Sequence, residues 1–463
     1  MAGTIGAIVS LLPSTVVEMA QAVARREVSA RELVEASLQR IDETAELNAF
    51  LTLCPERALE EANHIDNDSA VHAGGVLRGV PIAVKDLHET EGVRTTYGSL
   101  RFADHVPDRD CAAVARLRAA GAIVVGKTNT PAFGLISETK NRLCPPCANP
   151  YAPNRTAGGS SGGSAVAVAV GAVPLATGSD AAGSINVPSA FCGVFGFKPS
   201  LGLVANVPAA TSLLPFISSG PITRTVGDAA LTMDVLAGYD SRDPMSRAFP
   251  VGSFRDALGA RLPDGLRVAY SGDFGCFQVD DEVVAEVERT AASLAGSGCV
   301  VTRDHPWLDD PMSLYVGLYV PDARQAGFDD PATWDELFPE SLAELRDAPH
   351  SSAEEYANLW NKWWVLQATM REFFTFHDLL VVPTTATTAF EHDAMPNVIG
   401  GKSVNSVWTT WMPFTPIFNM TGQPCASVPT GFSSMGLPIG VLIVGAVGAD
   451  ALVLQVAREL VGA

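Results

Sequence analysis

Residues 155–199 read RTAGGSSGGSAVAVAVGAVPLATGSDAAGSINVPSAFCGVFGFKP, and the rest of the chain is interpreted outward from them. Four glycines and three serines in 158–164 make that segment too flexible for a core element. Small residues of helical character follow at once, so backbone amides of the loop converge on a helix N-terminus. A second turn follows, Ser179-Asp180-Ala181-Ala182-Gly183-Ser184. Its small residues can aim several N–H groups at one point, as an oxyanion requires. A Gly/Ser linker would share this composition, but linkers are not embedded in Ala-, Val- and Phe-rich sequence.

Away from this stretch, short apolar runs alternate with Ala-rich helical stretches from Gly79 onward. Residues 80–84, 123–125, 379–382 and 439–444 are strand candidates, mostly with apolar residues in succession. Continuous apolar strands separated by helices imply a sheet covered on both faces. Residues 1–65 read as helices, with Thr15–Glu18 and Ser29–Glu32 both fitting a capping box. Residues 240–375 are richer in Asp, Pro and aromatics and form a helical insertion. The expected fold is α/β, one large domain over 1–463. Its parts are the helical segment 1–65, a core 79–235, the variable part 240–375 and a return to the sheet at 376–463.

With 463 residues, 47% hydrophobic and 18% charged, the chain supports a sizeable core and is not disordered. Its formal net charge of −20 repels phosphate backbones and anionic membranes, which argues against nucleic acid and membrane surfaces as partners. No Lys or Arg precedes the mildly apolar residues 5–12, so they are not a secretory signal. The small-apolar run 165–176 is broken by Gly171 and Pro174 and is too short to span a bilayer. A cytoplasmic protein is expected. The eight cysteines are scattered apart from Cys144 and Cys147 in C-P-P-C, whose proline-rich flanks suit a structural loop pair rather than a redox or zinc site. No metal and no cofactor are expected.

Two familiar motifs are set aside. Residues 121–128, GAIVVGKT, match a phosphate loop, but their middle residues form the strand itself and 111–120 before them look helical. Residues 158–162, GGSSG, match a nucleophile elbow, yet no strand precedes them, since 144–157 are proline-rich and polar.

The 155–199 stretch strongly resembles the amidase signature family. The resemblance extends to GVPIAVKD at 79–86, GKTNTP at 126–131, GPITRTV at 220–226, FNMTGQP at 418–424 and GLPIG at 436–440. It covers nearly the whole chain and is weakest across 240–375. It implies a mixed central sheet with helices on both faces and an aromatic, substrate-facing insertion. It also implies Ser184 as nucleophile, Ser160 as bridging serine and Lys85 as general base. The backbone amides of Ala181, Ala182, Gly183 and Ser184 would form the oxyanion hole, with Asp180 and Arg155 supporting the loop. The chemistry of such a set is simple. A serine hydroxyl is a poor nucleophile until a base removes its proton, and a lysine serves only if burial lowers its pKa to about 7–8. Lys85 ends an apolar strand, and alternation sends its neighbour Asp86 to the other face.

Two positions depart from the family pattern. Ala182 stands where Gly is common, and Asn186 where Arg is common two residues after the nucleophile. The second leaves Asp180 in need of another partner, for which Arg155 is the candidate, and disfavours a small anionic substrate.

All seven tryptophans lie beyond residue 300. Trp360, Trp363, Trp364 and Tyr356 fall at helical spacing and suit a core, whereas Trp408, Trp411 and Phe414 are the candidates for a substrate pocket. A hydrophobic lining implies bulky, neutral aryl or alkyl amides. The resemblance also allows carbamates of the urethane type and esters, with the protein a monomer or homodimer. Two alternatives stay open: a glutaminase subunit of an amidotransferase complex, and a catalytically silent binding protein on the same fold.

Overall fold

The computed structural model describes residues 14–67, 75–208, 214–249, 252–324 and 350–461. Its strands, in chain order, are β1 (Phe50–Leu53), β2 (Pro81–Lys85), β3 (Ile123–Thr128), β4 (Leu175–Asp180), β5 (Phe195–Lys198), β6 (Ser218–Thr223), β7 (Arg267–Tyr270), β8 (Val300–Arg303), β9 (Leu379–Pro383), β10 (Val398–Ile399), β11 (Lys402–Ser403), β12 (Cys425–Phe432) and β13 (Pro438–Gly445). Eleven of them form one sheet in the order β1-β3-β2-β4-β6-β5-β12-β13-β9-β7-β8, while β10 and β11 make a separate hairpin. The sheet is mixed: β3, β2 and β4 run parallel, as do β9, β7 and β8, and the strands between are antiparallel.

Strand alternation sorts side chains between two covered faces, as continuous apolar runs require. Ile82, Val84, Val124, Val381 and Val441 join one buried cluster, beneath the helices Ala112–Ala119, Val226–Leu236 and Asp450–Val461. On the opposite face Ala83, Ile123 and Val125 pack with residues of Ala30–Glu43 and Gly162–Ala169. Farther along that face, Leu380, Val382 and Leu442 pack with residues of Pro311–Ala323, Ala353–Phe376 and Thr415–Thr421. One α/β domain with helices on both faces is thus the architecture.

The four expected strands are present; β3, β9 and β13 are longer than their apolar runs, and β2 is shifted by one residue. Both capping boxes form, at Thr15 and Ser29. Residues 123–128 are strand β3, which leaves no open phosphate loop. Two expectations change. The helical first 65 residues also hold β1, and the part expected to be a helical insertion contributes β7 and β8 to the sheet edge. All three are four-residue pieces, and β8 is largely exposed, so none carries a long apolar run. Residues 5–12 and Trp334 lie outside the described residues. Among the described residues no helix is long and apolar enough to cross a membrane.

Candidate active site

The Lys85 side chain projects from the end of β2 into the buried interior, where its Nζ lies 2.8 Å from Ser160 Oγ and 3.2 Å from Ser179 O. Burial lowers the amine to about 7, against the opposing pull of the Asp180 carboxylate. The amine is therefore partly neutral near pH 7, within hydrogen-bond distance of the Ser160 hydroxyl. Asp86 is engaged elsewhere, 3.4 Å from Lys127 Nζ and accepting the Thr96 N–H at 2.8 Å.

Ser160 sits on a cis Gly159–Ser160 peptide, just before the helix Gly162–Ala169. The 158–164 segment, expected to be too flexible for a core, is wholly buried. Its glycines permit close packing: a Cβ on Gly163 would lie 2.4 Å from the Asn129 backbone nitrogen. The converging amides expected there are also occupied, since Gly162 N–H donates to Thr139 Oγ1 at 3.0 Å and Gly163 N–H to Asn129 O at 3.2 Å.

The second turn keeps three of its four expected donors. Asp180 brackets Ser184, with one carboxylate oxygen accepting Gly183 N–H at 2.7 Å and the other Ile185 N–H at 2.7 Å. Asn419 Nδ2 donates to the Asp180 carbonyl and carboxylate, both at 2.9 Å. The carbonyls on the far side of the turn are held too, Ala182 O by Thr415 Oγ1 at 2.6 Å and Ala181 O by the Tyr315 hydroxyl at 3.1 Å. Two expectations are corrected here. Gly183 N–H is committed to Asp180, which leaves Ala181, Ala182 and Ser184 as the amides that make no hydrogen bond among the described residues. Arg155 is not the partner of Asp180; its guanidinium donates to Ala389 O at 2.7 Å, and its backbone pairs with Glu391 in an isolated antiparallel β-bridge. Backbone amides and Asn419 do the work that a cation was expected to do, while Asn186 Nδ2 stands 3.5 Å from the carboxylate. Ala182 is not among the positive-φ residues, so its Cβ is tolerated where the pattern has Gly. Gly183 is at φ +121°, and a Cβ there would meet Thr415 Oγ1 at 2.2 Å.

Ser160 and Ser184 line one cleft with Leu87, His88, Phe133, Leu135, Ile217, Tyr315, Tyr319 and Trp408. Among the described residues no hydrogen bond joins the two hydroxyls, so the link already made is the one to Lys85. Catalytic contacts of this kind often tighten only around substrate. Among the described residues lining the cleft, none is Arg or Lys. Trp408 is at this wall; Trp411 and Phe414 are not. They are 1% and 0% exposed and pack in the core, Trp411 against Phe191 and Phe390, Phe414 against Phe274 and Phe277. The four-residue helix Trp408–Trp411 turns only one of its tryptophans to the cleft. Trp360 and Trp363 are partly buried against the same core, whereas Trp364 is 59% exposed.

Sequence reasoning missed His88, Tyr315 and Tyr319. The tyrosines lie on the helix Pro311–Ala323, four residues apart and thus on one face, and that spacing was the available signal. Cys144 and Cys147 are free thiols whose pKa values burial raises, which suits a packed loop rather than reactive sulfur. Among the described residues no cluster could hold a metal ion.

A family model described as Amidase matches residues 32–454. An acylamidase of Rhodococcus erythropolis is 35% identical, covering 96% of this chain and 94% of its own. A glutamyl-tRNA(Gln) amidotransferase subunit of Moorella thermoacetica is 34% identical over 95% of this chain and 94% of its own. The crystal structure of a bacterial aryl acylamidase of the amidase signature enzymes superposes with a TM-score of 0.87 at 28% identity, covering 96% of both chains.

Proposed function

The chain belongs to the amidase signature family, and from that premise we propose that it hydrolyses the C–N bond of neutral, bulky aryl or alkyl amides through an acyl-enzyme on Ser184. The carrying observation is the 2.8 Å contact between the fully buried Lys85 amine and Ser160, beside the cleft that Ser184 lines.

Neutral Lys85 accepts the Ser160 hydroxyl proton while Ser160 accepts that of Ser184, and Ser184 Oγ attacks the substrate carbonyl carbon. The resulting oxyanion is met by the Ala181, Ala182 and Ser184 amides, held in place by Asp180 and Thr415. The proton returns from Lys85 through Ser160 to the amide nitrogen, the C–N bond breaks and the amine leaves. Water then repeats the attack on the Ser184 ester and releases the acid. Carbamates and esters would follow the same two-step route.

A glutaminase must hold a charged amino acid, which a cleft wall of described residues without Arg or Lys does not favour. Aryl and alkyl groups suit Phe133, Leu135, Ile217, Tyr315, Tyr319 and Trp408. A silent binding protein has no use for a buried lysine whose desolvation destabilises the fold. A panel of an aryl anilide, a short aliphatic amide, glutamine and an aryl carbamate tests this. Arylamine release from the anilide at the highest kcat/KM supports the proposal; preference for glutamine overturns it.

A further inference from the structure

The ladder between β2 and β4 stops short of the lysine. Its paired residues are Ile82 with Leu175 and Ala83 with Ala176. Beyond them the Lys85 backbone N–H donates to a side chain, Thr177 Oγ1 on β4, at 2.9 Å. One hydroxyl therefore substitutes for a sheet bond at the residue whose amine reaches both Ser160 and Ser179 O.

That hydroxyl is oriented by His88. The turn after β2 closes with His88 N–H on Lys85 O at 2.9 Å, folding the imidazole back so that its Nδ1 lies 2.9 Å from Thr177 Oγ1 and its Nε2 3.2 Å from Ser219 Oγ on β6. The proton directions follow from the far end. Asn206 Nδ2 donates to Ile217 O at 3.0 Å, so Asn206 Oδ1 is the atom that accepts the Ser219 hydroxyl. Ser219 Oγ then receives His88 Nε2–H, the Nδ1 lone pair receives the Thr177 hydroxyl, and Thr177 Oγ1 is left to accept from Lys85. Burial, with Lys85 and Lys127 nearby, pushes the imidazole down to about 3, so it stays neutral.

We propose that His88, in this single tautomer, is a positioning residue for the Lys85 base, acting through Thr177 to hold the end of β2 against β4 and thereby Nζ against Ser160. The inference rests on Lys85 being the base. No proton passes through the imidazole during the reaction.

The test compares kcat and KM for an aryl anilide across variants whose thermal melts are recorded alongside. His88→Asn keeps an acceptor near the Nδ1 position and should retain kcat within about threefold, whereas His88→Phe should lose kcat by about tenfold or more with KM little changed. Thr177→Val should reproduce the His88→Phe loss, and the double variant should be no worse than either single one. If His88→Phe does not fold, Thr177→Val decides. Wild-type kcat in Thr177→Val, or a loss confined to KM, overturns the proposal. A folded His88→Asn as impaired as His88→Phe also overturns it, because the imidazole itself would then be needed. Lys85→Ala, run in parallel, separates the two readings. An active Lys85→Ala refutes the base, while an inactive one beside a fully active His88→Phe refutes only the positioning role.

Discussion

Lys85 Nζ meets Ser160 Oγ at 2.8 Å in a setting where the lysine is 0% exposed. Holding that amine dry works against folding, and the linkage has a definite sign. Above pH 10.5 it is neutral in both folded and unfolded chains. Between 10.5 and about 7 only the unfolded chain takes up the proton, so stability declines as pH falls. Below about 7 both are charged and the penalty is constant, on the order of 5 kcal/mol. Lys85→Met should therefore melt above the wild type at neutral pH, with the gap narrowing toward about pH 10. Calorimetry across that range checks it; a gap independent of pH contradicts it.

Ser184→Ala should lose anilide hydrolysis by about four orders of magnitude, since the members of a catalytic set act as a unit. In the wild type, acid-quenched peptide mass spectrometry should find the acyl group on the peptide carrying Ser184. Acylation at a cysteine, or undiminished turnover by the variant, would redirect the chemistry to another nucleophile.

Asp180→Asn places an amide NH2 against either Gly183 N–H or Ile185 N–H, where each now donates to a carboxylate oxygen at 2.7 Å. A buried donor left unpaired costs about 1–3 kcal/mol. The turn that presents Ser184 and the Ala181 and Ala182 amides should loosen. The expected result is a kcat reduced by about ten- to a hundredfold with a smaller change in KM. An effect on KM alone would place Asp180 outside the positioning of Ser184.

The two tryptophans of the short helix Trp408–Trp411 should separate cleanly. Trp408 lines the cleft, so Trp408→Ala should raise KM for aryl substrates by about tenfold with kcat less affected. Trp411 is a core residue, so Trp411→Ala should cost about 3–5 kcal/mol of stability without altering the preference between aryl and alkyl amides. Denaturation curves and a substrate pair suffice, and the reverse assignment would contradict the placement of the two rings.

How far the sequence alone could reach depended on which force was legible in it. Apolar runs announced β2, β3, β9 and β13, because strands covered on both faces show in composition. The four-residue β1, β7 and β8 carried no such run. Lys85, Ser160 and Ser184 were marked by their motifs, and the structure brings Lys85 to Ser160 and sets both serines on one cleft. The motif was silent on which amides stay free, because Gly183 is claimed by a carboxylate oxygen whose direction depends on side-chain rotamer. Trp411 and Phe414 looked like Trp408 because hydrophobicity is the same for a core and for a pocket wall, and only the turn of the chain divides them. His88 stood in the motif region unremarked, since its role depends on strands contributed by residues 177 and 219.

The central claim is that an uncharged Lys85 draws the proton from Ser184 through Ser160. The measurement that meets it most directly is the pH dependence of kcat/KM for anilide hydrolysis. Activity should rise with pH along a single limb of apparent pKa about 7, falling about tenfold per pH unit below it, and both limb and activity should vanish in Lys85→Ala. A limb near the ordinary lysine value of 10.5, or wild-type activity and an unchanged limb in that variant, would contradict the account.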